Sequence, residues 1–129
     1  ASLYAGAACV MAKYQGQTLD YALVVRPGHP SLAQAEAEQE LRDKGYAEYR
    51  ARLDIIRAQN LTARDAGFVV VIRSEFQDAR GRDRSAMGCG FGADADAALW
   101  DALRDAQAYY WGWKPDRDGY EVLVNRRFP

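Results

Sequence analysis

The chain has little of what most catalytic and metal sites are built from. Its 129 residues include one histidine and two cysteines, and no Cys-x-x-Cys spacing occurs. Cys9, His29 and Cys89 are too few and too scattered for a structural zinc site, and no cofactor or metal is expected. Two cysteines allow one disulfide between Cys9 and Cys89 in an oxidising compartment, or two buried thiols in a reducing one. The preference of cysteine for protein interiors favours the thiols, and with them the cytoplasm over the periplasm or exterior.

Charge of one sign is also lacking. Seventeen basic side chains face eighteen acidic ones, a formal net charge of −1, so the chain as a whole has no attraction for nucleic acid or anionic lipid. No apolar run approaches the roughly 20 residues of a membrane span. The apolar start, Ala1–Ala12, is short and has no basic flank of the signal-peptide kind. It fits either a trimmed cytosolic protein or a mature chain cut after a small residue. The abundance of Ala, Arg, Asp and Gly suggests a bacterial or phage source.

With 49% hydrophobic and 27% charged residues, the composition is that of one globular domain over residues 1–129. Gly6–Tyr14 and Leu19–Arg26 flank the turn-like Gln15-Gly16-Gln17-Thr18 and read as a hairpin. Pro27-Gly28-His29-Pro30 ends the second strand. Ser31, with Gln34 as its capping-box partner, starts a thinly amphipathic helix that Gly45 stops. Tyr46–Arg57 alternates with period two as a strand, and Asn60–Gly67 reads as a connection.

The second half repeats the layout with a stronger signal. Phe68–Phe76 and Ser85–Phe91 read as a hairpin around an Arg-Gly-Arg tip. Asp94 caps a helix with a broad apolar arc to Tyr110, and Tyr120–Phe128 reads as the last strand. Gly88, Gly90 and Gly92 in one strand imply close approach of another backbone or a ligand.

The fold class expected is α+β. It comprises two tandem ββαβ units, residues 5–57 and 66–128, forming antiparallel-rich sheets with two helices packed on one face. Ala5-Gly6 is matched with Ala66-Gly67, and Tyr49–Leu53 with Tyr120–Val124. The hairpin strands are apolar on both sides, so a second packed sheet or a partner chain must cover the face the helices leave bare.

Candidate sites are few. Gly88-Cys89-Gly90-Phe91-Gly92 lacks the lysine of a phosphate-binding loop, and Asp94 would repel the phosphate. Asp94-Ala95-Asp96 and Asp116-Arg117-Asp118-Gly119 serve as cap and turn, since neither has the oxygen-rich loop of a calcium site. Arg80, Arg82 and Arg84 at the second hairpin tip, with Trp100, Trp111 and Trp113, are the expected binding residues.

The function expected is therefore a small non-catalytic protein-binding module. It would be an inhibitor, immunity-type or accessory protein acting by occlusion, with a homodimer as one form of partner. A nucleic-acid module is the alternative, requiring the hairpin arginines, Arg50/Arg52 and Arg126/Arg127 on one face. A small enzyme built on His29 and Cys89 is the third reading.

Overall fold

The structure is a computed structural model that describes residues 5–14, 17–46, 52–61, 67–110 and 112–127. Strand β1 (Ala5–Tyr14) pairs antiparallel with β2 (Gln17–Pro27) on one side and β3 (Arg52–Leu61) on the other, with helix α1 (Pro30–Asp43) between β2 and β3 in sequence. The second unit follows the same course. Strand β4 (Phe68–Gln77) lies between β5 (Asp83–Gly92) and β6 (Glu121–Arg127), with α2 (Ala95–Tyr109) and the single turn α3 (Pro115–Asp118) linking β5 to β6. The fold is α+β, with two three-stranded antiparallel sheets ordered β2-β1-β3 and β5-β4-β6.

Two-sided apolar strands dictate how these sheets stack. Along β1, Ala7, Cys9 and Met11 face one way and Ala8, Val10 and Ala12 the other, and all six are fully buried. The first set meets Val69, Val71, Met87, Cys89 and Phe91 of the other sheet in a shared inner layer. The second set packs on Ala33, Ala37 and Leu41 of α1. In the second unit Val70, Ile72, Phe76 and Ala86 turn outward onto Ala98, Ala102 and Ala106 of α2.

The helices therefore do not share one face, as the sequence pattern suggested. Each covers the outer face of its own sheet, because the inner faces cover one another. The two-sided apolar stretches of the central strands β1 and β4 are thus buried within the chain itself.

Both cysteines are buried in the inner layer, and they form no disulfide with each other. The glycine stripe explains how α2 sits so low on its sheet. A methyl group on Gly88 would lie 2.0 Å from the carbonyl oxygen of Ala102, and one on Gly90 would lie 2.2 Å from the Ala102 nitrogen and the Ala98 oxygen. The close approach expected at these glycines is thus to the chain's own helix. The same approach brings two carboxylates to the outer edge of β5. The Cys89 N–H donates to Asp105 Oδ2 at 2.9 Å, and the Phe91 N–H donates to Asp101 Oδ2 at 3.0 Å. At these two positions the edge no longer offers bare N–H groups.

Three details differ from expectation. The α1 cap is His29, whose Nδ1 accepts from the Ser31 N–H at 3.1 Å, with Pro30 in the first turn. Proline suits that position because the N–H it lacks has no helical partner there. Strand β3 continues to Leu61, since its ladder with β1 runs on to the pair Ala5–Leu61; residues 47–51 of the expected strand lie outside the described residues. The matching of the units is also shifted. Both central strands meet a bulge in their third strand, between Cys9 and Val10 and between Val71 and Ile72. Aligning Ala5-Gly6 with Ala66-Gly67 would set inward-facing Cys9 against outward-facing Val70, whereas the bulges set it against Val71. They likewise set Arg57, not Leu53, against Val124.

The glycine contacts make a direct prediction. Gly90→Ala should lower stability by about 3 kcal/mol, the upper part of the range for overpacked cores, because backbone rather than a flexible side chain is in the way. Gly81→Ala at the hairpin tip, where φ is +76° and nothing lies within 4 Å, should cost only about 1 kcal/mol of backbone strain. Urea unfolding of the two variants measures the contrast.

Candidate binding site

The second hairpin tip is built by one carboxylate. Asp78 accepts from the backbone N–H groups of Arg80 and Arg82 at 2.9 and 3.0 Å, and from the Nε of Arg82 and Arg84 at 2.9 and 3.2 Å. The Asp78 N–H in turn reaches the Arg82 carbonyl at 3.0 Å. An aspartate can satisfy its own loop in this way because its short side chain reaches amides two to four residues on. These donors, the Arg82 N–H foremost, hold the carboxyl well below the usual carboxylate range.

Beside the tip lies an open groove of about 920 Å³. Phe76, Tyr109 and Tyr110 line it, with Arg80 and Arg82 from the hairpin and Lys114 and Arg117 from the segment after α2. Phe76 and Tyr110 meet edge to face, with ring centroids 5.1 Å apart. Tyr109 is fixed by the first unit, where the buried Lys13 places its ammonium 3.7 Å over the ring.

The two acids of the groove are already occupied. Asp118 accepts from Arg117 Nε at 3.1 Å and Nη2 at 2.9 Å, and from the Lys114 N–H at 2.9 Å. The Arg117 side chain above all, and then the Lys114 amide, lowers the pKa of Asp118, and the same pairing raises that of Arg117. Two of the four lining cations are thus committed, Arg82 to Asp78 and Arg117 to Asp118. The side chains of Arg80 and Lys114 make no ion pair among the described residues.

The expected binding residues divide sharply. Arg80 and Arg82 stand on the groove. Arg84, with a side chain 11% exposed, is pinned to Asp78 and belongs to the frame of the tip. Trp100 is 67% exposed on α2, whereas Trp113 is wholly buried in the core beneath that helix and cannot meet a partner. Trp111 lies outside the described residues. Lys114, Arg117 and the Phe76–Tyr110 pair are not among the binding residues expected from the sequence, where Arg117 reads only as part of a turn. The aromatic cluster before Lys114 was visible there, but its apposition to the hairpin depends on where α2 ends.

Other candidates are not assembled. Cys89 is sealed in the inner layer while His29 is an exposed cap, and neither lines any cavity described. Among the described residues no cluster of three or more His, Cys, Asp or Glu could hold a metal ion. A second cleft of about 640 Å³, between β2 and the end of β6, mixes Asp20, Glu40, Lys44 and Arg126. Its Asp20 is taken by Lys44 Nζ at 3.3 Å and the Tyr46 hydroxyl at 3.0 Å. No described helix is long and apolar enough to cross a membrane. Comparison with protein-family models, with curated proteins and with solved structures finds no match.

The state of Asp78 makes the tip sensitive to acid in a defined direction. Its pKa is lower when folded than the ordinary value of 3.8. The stabilisation it gives is therefore complete above that value and is lost as pH falls through the lowered one. Asp78→Asn should melt below the wild type at about pH 6, and the gap should narrow steadily toward about pH 2. Thermal melts across that range measure it.

Proposed function

We propose that the chain is a small non-catalytic protein-binding module that acts by occlusion, with the β4–β5 tip and its adjoining groove as the contact surface. The observation that carries this is the pre-built tip. Asp78 fixes the loop through four donors, so the arginines are presented without the ordering cost a floppy loop would incur on binding. Exposed Trp100 supplies a second anchor, about 14 Å along the helix axis from Tyr109 at 1.5 Å per residue. We further read the two units, with their common strand order and matched bulges, as copies of one ββαβ element.

The inner faces of the strands cover one another, which leaves the hairpin end and Trp100 as the contact surface. A nucleic-acid surface is less well supported. Arg126 and Arg127 sit opposite Val69 and Phe68, at the far end of β4 from the tip, a separation of about 30 Å at 3.3 Å per residue. An enzyme of the His29/Cys89 kind is less well supported, since His29 is exposed, Cys89 is buried in the inner layer, and the two share none of the cavities described.

Affinity capture from a cell extract, compared between wild type and variants, tests the proposal. Arg82→Glu would disturb Asp78 as well as the surface, so Arg80→Glu is the cleaner reversal. A protein held by the wild type should be lost from Arg80→Glu and weakened by Trp100→Ala. Both variants should melt within about 3 °C of the wild type, as surface changes do. Equal capture by all three would remove the hairpin from the interface.

A further inference from the structure

We infer that the groove recognises a short acidic segment carrying an aromatic side chain, an inference that rests on the protein-binding reading of the same site. Ion pairing within the groove decides the charge of its occupant. Asp78 is shared by Arg82 and Arg84, and Asp118 is held by Arg117 and the Lys114 amide. Arg80 and Lys114 remain, one from the hairpin tip and one from the segment after α2, both exposed and without an ion pair among the described residues. A cavity with two uncommitted cations on different elements is complementary to two negative charges.

The floor decides the rest. Phe76 and Tyr110 already meet edge to face, and Tyr109 is braced by Lys13 from the other unit. A further ring can extend this cluster, since aromatic rings pack edge to face or offset without a fixed partner. A volume of about 920 Å³ exceeds what one carboxylate needs and suits a bulky side chain with its flanking backbone. Inorganic anions or acidic residues alone would leave the aromatic floor wet. An apolar segment alone would leave Arg80 and Lys114 unanswered. Charge brings the segment in and sets its register, and the ring supplies the burial.

The test uses the full chain, isotopically labelled, and a short synthetic peptide in which glutamates flank one phenylalanine. Saturable shifts of the Arg80, Gly112 and Lys114 amide signals are expected. Replacing the phenylalanine by serine, or the glutamates by glutamine, should each weaken binding by about tenfold or more, and the combined variant Arg80→Glu/Lys114→Glu should abolish the shifts. Amide spectra away from the groove and an unchanged melt verify that the variant is folded.

Binding of the glutamine peptide as tightly as its parent, unaltered binding to the combined variant, or tighter binding of a single-stranded oligonucleotide would each overturn the inference. So would the absence of any shift. If the peptides fail while cellular capture still depends on Arg80, the partner is a folded surface and only the present inference falls. If capture is also indifferent to Arg80, the protein-binding reading falls with it.

Discussion

Burial of both faces of β1 and β4 is the constraint from which the rest follows. Ala7, Cys9, Met11, Val69, Val71 and Cys89 have no solvent exposure, and they are drawn from both units. A fully buried valine or methionine side chain is worth about 1.5–3 kcal/mol relative to an exposed one. Either unit alone would leave its inner set in water, with only one helix to cover the other side. The two units are therefore halves of one core. The helices are displaced to the outside because the inside is already taken.

That layering fixes the hairpin surface. With the inner faces closed, α2 must seat on the outer face of β5, and the stripe Gly88, Gly90, Gly92 lets its alanines settle against backbone. Asp101 and Asp105, one helical turn apart, then reach the edge N–H groups of β5. The end of the helix is thereby aimed past the start of β5, and Tyr109, Tyr110 and Lys114 come to stand across from the Arg80–Arg82 tip. The groove is a consequence of glycine and alanine placement some distance from it. A substitution in the stripe should disturb the groove without touching any residue that lines it.

Much of this was legible in the sequence, where local chemistry and periodicity agree. Alternation in Phe68–Phe76 and Ser85–Phe91, the Asp94 cap and the apolar arc of α2 all mark the elements the structure contains. The glycine stripe announced a close backbone neighbour. What failed needed information from outside each segment. Trp113 looked like an interface residue because helix spacing cannot tell a core aromatic from an edge one beyond the helix end. His29 displaced Ser31 as cap because Pro30 fits the first turn. The bulge at Leu123 broke the alternation expected of β6, so that Leu123 and Val124 both pack against the inner layer. The groove itself was invisible, since it joins residues some thirty positions apart through the docking of α2.

The claim that the two units share a single core is open to direct measurement, because each contributes one cysteine to it. Thiol labelling of Cys9 and Cys89, followed separately by peptide mass across a denaturant series, reports each unit in the same sample. One core predicts that both thiols are inert in native buffer and become reactive in one shared transition. Reaction of Cys9 and Cys89 at separate denaturant concentrations, or of either in native buffer, would contradict it.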